Sequence, residues 1–242
     1  MISGASFWTE AQSHEIEAWK RMGCARPRYL AQRAAVLDAW LGLFKTPDHR
    51  RVLEIGGAGL PLVEFVRGYE ERHAVDPLMD EYVAMFPDAA DAGGVARRQG
   101  RVEELPYEAQ HFDTVIMLNV LDHVQEPQRA LAEIRRVLRR DIGLFLFSCD
   151  TYSRLWLTLR ACRVALRGRR RNDLLHPHHY TPPALLRQLT RHFDALEVHT
   201  CYGDPLAGEY SSRRPYPFGG LRNRLKREGR LYVTARPWAG TT

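Results

Sequence analysis

The chain has 242 residues, of which 45% are hydrophobic and 26% are charged, and its formal net charge is +6. A chain of this size can bury a full core, and we expect one α/β domain with additions rather than two small domains. No run approaches the ~20 apolar residues of a membrane span, and the first residues lack the pattern of a signal peptide, so we expect a cytoplasmic protein.

The cysteines are widely scattered and show no paired spacing. They are Cys24, Cys149, Cys162 and Cys201. This pattern is typical of reduced thiols and argues against a disulfide framework or a zinc site.

Basic residues are concentrated in one part of the chain. Residues 151–242 contain 17 Lys and Arg against 6 Asp and Glu, whereas residues 1–150 contain 18 against 23. Codon bias explains the use of Arg in place of Lys, but it does not explain this placement. A basic C-terminal surface favours an acidic substrate, a membrane or nucleic acid as partner.

Residues 1–46 predict an N-terminal cap of two helices. One helix includes Trp8 and Trp19, and the other includes Leu37 and Leu41, in each case at helical spacing.

Residues 47–242 form the second predicted unit, in which short apolar runs alternate with helical stretches. The predicted strands are 51–55, 72–75, 112–118, 143–149, 193–202 and 230–236. The predicted helices are 60–70, 78–86, 126–139 and 181–192, the last capped by Thr181. The alternation predicts an α/β fold with a mostly parallel, doubly wound sheet covered by helices on both faces.

The segment RVLEIGGAGLPL (51–62) predicts a strand, a turn on Gly56, Gly57 and Gly59, and then a helix. Asp76 ends the next strand-like run, where a carboxylate can accept both ribose hydroxyls of an adenosine. The pattern fits a dinucleotide or a single adenosine equally well, and a tight turn without a ligand is the alternative. Leu62 stands where the third glycine of a dinucleotide motif would be.

Four further elements follow in a characteristic order. They are GRVEELPY (100–107), FDTV (112–115), LDHV (121–124) and the Glu-Pro pair at 126–127. In this order and spacing, the chain resembles the class I S-adenosylmethionine-dependent methyltransferases, in particular their small-molecule, type 11-like branch. The resemblance covers most of residues 50–236. It implies a Rossmann-like, seven-stranded sheet whose last strand is antiparallel, and S-adenosyl-L-methionine as cofactor.

The resemblance also implies roles for individual residues. Those expected to bind the cofactor are Glu54, Gly56, Gly57 and Gly59 under its methionine part, Asp76 at the ribose, Pro77, Leu78, Val102 and Glu103 around the adenine, and Asn119 near the sulfonium. Arg101 departs from the family, which usually has Asp beside the adenine.

His123, with Asp122 beside it, is the best-placed candidate for a catalytic base. It follows the fourth predicted strand, at the sheet edge where ligands bind. The alternative is that His123 only packs over the cofactor.

The segment HPHHY (176–180) contains three histidines within four positions. No carboxylate or cysteine accompanies them at ligand spacing, so we expect no metal site. His178, His179 and Tyr180 are candidates for substrate contact, and a loop that caps the following helix is the alternative.

The helical insertion 153–180 begins with an amphipathic stretch, residues 153–171. Leu155, Leu159, Cys162 and Leu166 form an apolar stripe beside an arginine stripe. With the basic loop 203–229, this helix favours an anionic small-molecule acceptor, methylated on oxygen and sugar- or lipid-linked, and peripheral membrane contact through 153–171. The alternative to contact with acceptor or membrane is a helical lid that packs on the domain and exposes its charged side to solvent. Nucleic acid is the weaker partner, since no recognised binding module appears.

Two other functions stay open. One is a methyltransferase-like scaffold without catalysis, and the other is a nicotinamide-dependent reductase.

Overall fold

The computed structural model describes residues 4–22, 27–57, 61–87, 94–168, 176–201 and 227–237. The helices are α1 (Gly4–Met22), α2 (Pro27–Leu41), α3 (Met79–Met85), α4 (Pro127–Val137), α5 (Arg154–Arg167) and α6 (Pro182–Leu189). The strands are β1 (Arg51–Ile55), β2 (Glu71–Asp76), β3 (Val95–Gln99), β4 (Thr114–Leu118), β5 (Leu144–Tyr152), β6 (Phe193–Cys201) and β7 (Arg227–Pro237).

The strands form one seven-stranded sheet in the order β3-β2-β1-β4-β5-β7-β6. Strand β7 is antiparallel to both of its neighbours, and the other pairs are parallel. Every residue of β5 is buried, as a strand covered on both faces requires. The predicted Rossmann-like α/β fold with an antiparallel last strand is confirmed.

Asp113 fixes β1 against β4. Its Oδ2 atom accepts the backbone N–H groups of Arg50 and Arg51, each at 2.7 Å, just where β1 begins. The resulting register pairs Ile55 with Met117, so β1 and β4 end at the same level.

The predicted helix 60–70 is wrong, because the described residues of this segment, 61–70, contain a 3-10 turn, Leu62–Glu64, and no α-helix. Glu54 explains the difference: its buried Oε2 atom accepts the backbone N–H of Val63 at 2.7 Å and holds the turn close to β1. Gly68, with φ of 74°, then turns the chain toward β2.

Helix α2 covers the side of the sheet that the connection from β1 to β2 leaves open. Ala34, Leu37 and Leu41 are buried in one cluster with Leu62 and Val63 of the turn. The same cluster includes residues of three strands, Val52, Ile116 and Leu146. The predicted N-terminal helices are therefore confirmed, and α2 is part of the core.

Strand β3 has no counterpart among the predicted strands. It lies at the sheet edge and carries Arg97 and Arg98, so it lacks an apolar run. Arg97 forms an ion pair with Glu64 at 2.8 Å, and both side chains are less than one-tenth exposed.

Helix α5 begins after Ser153, whose hydroxyl oxygen accepts the backbone N–H of Trp156. It ends at Arg167, whereas the amphipathic helix was predicted to reach 171; residues 169–175 and most of the loop 203–229 lie outside the described residues. Thr181 caps α6 as predicted. In the part of the chain that is described, no helix is long and apolar enough to span a membrane.

Leu37→Ala should lower the free energy of unfolding by about 2–5 kcal/mol, because it leaves a cavity between α2 and the sheet. Val36→Ala, at a neighbouring site that is 39% exposed, should cost less than about 1 kcal/mol. Urea unfolding of both variants measures the difference. Equal losses would show that α2 does not belong to the core.

Burial raises the pKa of Glu54 to about 7, although the Val63 N–H opposes the shift. Between the ordinary pKa near 4.5 and this raised value, the folded state holds a proton that the unfolded state has lost. The contribution of Glu54 to stability is therefore present at low pH and declines by up to about 1.4 kcal/mol per pH unit as the pH rises through this window.

Glu54→Gln should remove this decline, because the amide stays neutral and its oxygen still accepts the Val63 N–H. Urea unfolding at pH 5 and at pH 8 compares the variant with the wild type. Glu108→Gln, at an exposed site, is the control and should keep the wild-type pH dependence. The same decline in Glu54→Gln would refute the assignment.

Candidate active site

A cleft opens at the carboxyl ends of β1, β2 and β4. Gly56 follows β1, Asp76 ends β2, and Asn119 and His123 follow β4, and all four line the cleft. Ligands bind at this edge of open α/β sheets.

Helix α1 covers one side of the cleft with a single face. Its lining residues are Trp8, Ala11, Gln12, Glu15 and Trp19. The Trp19 ring meets the Tyr82 ring edge-on, with centroids 5.7 Å apart. The Arg101 guanidinium lies over the Trp8 ring, 5.2 Å from its centroid. Two aromatic contacts thus hold α1 against the sheet edge.

The backbone of Gly56 lies close to the side chain of Val120. Its φ is 75°, and a Cβ atom there would lie 2.3 Å from a methyl carbon of Val120. A Cβ on Gly57 would lie 2.7 Å from Cβ of Pro61. Both positions therefore require glycine. Gly57 is not among the residues that line the cleft, and Gly59 lies outside the described residues.

Asp76 presents a buried carboxylate in the cleft wall. Its Oδ1 atom accepts the backbone N–H of Leu78 at 2.9 Å, which fixes the side chain at the strand end. Pro77 and Leu78 line the cleft beside it. An acid at this place, next to apolar side chains, suits a ribose and a base.

Glu103 lines the cleft, but one of its oxygens is fully engaged by the protein. Its Oε1 atom accepts the backbone N–H groups of Gln125 and Glu126 and a guanidinium N–H of Arg101. Burial alone would raise the pKa of Glu103, but these hydrogen bonds outweigh it and lower the pKa. Arg101 therefore links the cleft floor to α1. Val102, next in the chain, is buried and lines the cleft.

Asn119 has φ of 60°, the left-handed region in which asparagine is tolerated. Its N–H donates to Ser148 O at 2.8 Å, and its Oδ1 accepts the N–H of Asp150. These bonds tie the turn after β4 to β5.

Beside the cleft, Asp122 is buried and hydrogen-bonded to a histidine that lies 54 residues away along the chain. Its Oδ2 atom lies 2.8 Å from Nδ1 of His176, and its Oδ1 atom lies 3.9 Å from Nε2 of His123. Burial would raise the pKa of Asp122, but the His176 hydrogen bond and the two nearby imidazoles outweigh it and lower the pKa. His123 lines the cleft, whereas Asp122 does not.

The predicted substrate residues pack beside this cluster and not in the cleft wall. His178 Nε2 lies 2.9 Å from Val124 O, and the His179 ring lies against Tyr152 and Trp156. Tyr180 is buried, and its backbone forms an isolated β-bridge with Thr151. Their contact with substrate stays a prediction.

The cleft thus joins eight predicted site residues: Gly56, Asp76, Pro77, Leu78, Val102, Glu103, Asn119 and His123. Glu54 supports the turn from behind. Sequence reasoning missed α1 as a wall, although Trp8, Glu15 and Trp19 recur at helical spacing and could have indicated an inward face. A glycine at the turn after β1, the carboxylate of Asp76 and the apolar walls of the cleft fit an S-adenosyl ligand.

The comparisons with known proteins agree with this geometry. Residues 53–147 match the model of the family described as "Methyltransferase domain". The chain is similar to the uncharacterized methyltransferase YcgJ of Bacillus subtilis, at 34% identity over 44% of this chain and 44% of that protein. It is also similar to the ubiquinone biosynthesis O-methyltransferase of Azorhizobium caulinodans, at 28% identity over 66% of this chain and 65% of that protein. The chain thus spans about half to two thirds of the length of these curated relatives.

Among solved structures, the N-methyltransferase NodS of Bradyrhizobium japonicum, in complex with S-adenosyl-L-homocysteine, superposes with a TM-score of 0.54. The two chains are 14% identical, and 85% of each is covered. At this identity the similarity shows the fold alone. The match over residues 53–147 and the shared fold make the chain similar to S-adenosylmethionine-dependent methyltransferases.

Proposed function

We propose that this protein transfers the methyl group of S-adenosylmethionine to a hydroxyl oxygen of an anionic small molecule, one that is sugar- or lipid-linked. The observation that carries the proposal is the cleft itself, which joins the glycine turn, Asp76, Asn119 and His123 at one sheet edge.

The chain's own residues supply binding and orientation. Gly56 lines the cleft without a side chain of its own, and Asp76 can accept hydrogen bonds from ribose hydroxyls. Helix α1 supplies one wall of the cleft. The bound sulfonium supplies an electrophilic methyl carbon, so in-line placement of the acceptor accounts for much of the rate.

Oxygen as the methylated atom is supported by His123. An alcohol needs help to lose its proton, while an amine needs less. His123 lines the cleft with its side chain 32% exposed, beside the carboxylate of Asp122, and can act as that base. The name of the Azorhizobium relative, an O-methyltransferase, agrees with this choice.

Helix α5 supports an anionic acceptor at a lipid surface. Leu155, Leu159 and Leu166 are 54%, 57% and 83% exposed, and Cys162 on the same stripe is also exposed. No residue of α5 is fully buried, and only one side of the helix, which includes Trp156, is half-buried. On the adjacent stripe, Arg167 is exposed, whereas Arg160 and Arg163 are half-buried; these positive charges complement an anionic bilayer.

The start of α5 is joined to the site through three aromatic rings. Trp156 stacks on Tyr152 with centroids 4.7 Å apart, and His179 lies against both rings. His178, the residue before His179, contacts Val124 O in the turn that carries His123. A lipid-linked acceptor bound along α5 would therefore enter the cleft from this side.

Asp76→Asn should weaken the binding of S-adenosyl-L-homocysteine by at least about tenfold, because the charge-assisted bonds to the ribose are lost. Calorimetry measures the affinity. Asp80→Asn, an exposed acid four residues away, is the control and should leave it unchanged. No binding to the wild type would favour a scaffold, and binding of NADH in its place would favour a reductase.

Replacing Leu155, Leu159 and Leu166 by Ser should reduce binding to vesicles that contain phosphatidylglycerol by at least about tenfold, since buried leucine area drives insertion. Cosedimentation at low salt measures it, with phosphatidylcholine vesicles as the uncharged comparison. The control replaces the exposed Ala161 and Ala165 by Ser and should bind as the wild type does. Equal sedimentation of all three proteins would contradict a lipid-facing α5.

A further inference from the structure

We propose that Asp122, His123 and His176 bind a divalent transition-metal ion beside the cleft. One possible ligand atom from each residue lies within 4.8 Å of the others. Sequence analysis predicted no metal site at the histidines of 176–180, because the carboxylate of Asp122 lies 54 residues away along the chain and no local spacing joins it to His176. Metal binding stands on this geometry alone, whereas its catalytic role rests on the proposed function.

The three side chains need little movement to close on one ion. Zinc-type ions bind imidazole nitrogens and carboxylate oxygens at about 2.0–2.2 Å, so neighbouring ligand atoms lie about 3–3.5 Å apart. Asp122 Oδ2 and His176 Nδ1 are 2.8 Å apart, and Asp122 Oδ1 and His123 Nε2 are 3.9 Å apart. The two imidazole rings lie side by side, with centroids 4.2 Å apart.

The carboxylate of Asp122 itself points to a cation. The side chain is 1% exposed, and its Oδ1 atom has no hydrogen-bond partner among the described residues. An oxygen without a hydrogen bond on a buried, charged carboxylate is costly, and buried charges are normally paired or coordinate metals. An ion held between Oδ1 and His123 would satisfy this oxygen.

The two chain segments that supply the ligands are held together independently of those ligands. The backbone N–H of His178 donates to Asp122 O at 3.3 Å, and the His178 ring contacts Val124 O. The site is therefore largely formed before an ion binds. The side chains of His123 and His176 are about one-third exposed, which leaves an open side for a further ligand.

A second cluster of the same residue types offers a comparison. Glu71, His73 and His111 also lie within reach of one another, but Arg51 already binds the Glu71 carboxylate at 2.9 Å. It lies where β2 begins, at the opposite end of the strands from the cleft. We therefore assign the ion to the Asp122 cluster.

The donor set indicates the class of ion. Two imidazoles and one carboxylate suit Zn²⁺, Co²⁺ or Mn²⁺, whereas Mg²⁺ and Ca²⁺ prefer oxygen ligands throughout.

The ion would act on the acceptor hydroxyl. Bound to the open position, that oxygen loses its proton to solvent more readily, and its lone pair forms the new bond to the methyl carbon. The electron pair of the broken carbon–sulfur bond stays on sulfur, which becomes a neutral thioether. In this arrangement His123 is a ligand, and the ion takes over the task assigned above to a base.

Titration of the chelator-treated protein with Co²⁺, without cofactor or acceptor, tests the proposal. We expect visible d–d absorption with saturable binding, and a melting temperature that rises with Co²⁺ or Zn²⁺. His176→Ala should weaken the binding on the order of a hundredfold and abolish the rise. His176 is half-buried, and the melting temperature without metal shows whether the variant folds.

His111→Ala in the second cluster is the matched control and should bind Co²⁺ as the wild type does. A stoichiometry of two, with one ion lost in each variant, also supports the proposal. It is overturned if the wild type shows no absorption change at millimolar Co²⁺, or if only His111→Ala loses the ion. Calorimetry with S-adenosyl-L-homocysteine tests the proposed methyl transfer separately, since that measurement does not require the metal.

Discussion

The bond between Asp113 and the start of β1 is the constraint on which the site depends. One carboxylate oxygen accepts two successive backbone N–H groups, those of Arg50 and Arg51, and so aligns β1 with β4. Because the strands then end together, the turn after β1 meets the turn after β4, and Gly56 comes into contact with Val120. A slip of one residue would separate these turns and exchange the two buried faces of β1. The cleft is therefore a consequence of strand register.

The N-terminal helices complete what the sheet leaves open. The described part of the connection from β1 to β2, residues 61–70, has no α-helix, and α2 supplies the missing layer with Leu37 and Leu41. Helix α1 then covers the cleft through contacts with Tyr82 and Arg101. Glu54 and Glu103 act in the same way as Asp113: their buried carboxylate oxygens accept backbone N–H groups and hold turns around the cleft.

Much of the fold and of the cleft could be predicted from local sequence. Buried parallel strands are continuous apolar runs, and the order of Gly56, Asp76 and Asn119 follows the strand ends, so these elements were recognisable. The helix predicted at 60–70 failed because a tertiary bond from Glu54 overrides local helical spacing. Strand β3 was missed because an edge strand with Arg97 and Arg98 has no apolar signal. The contact between Asp122 and His176 joins segments 54 residues apart, and no local pattern encodes it.

The docking of α1 has a consequence for synthesis of the chain. Trp8 and Trp19 are made before Tyr82 and Arg101, the residues against which they rest in the folded protein. At a translation rate of about 5–20 residues per second, these two indole rings have no final partner for several seconds. Throughout that interval they are apolar surfaces that a chaperone can bind. The wall of the cleft is thus made early, but it can reach its place only after Tyr82 and Arg101 have been made.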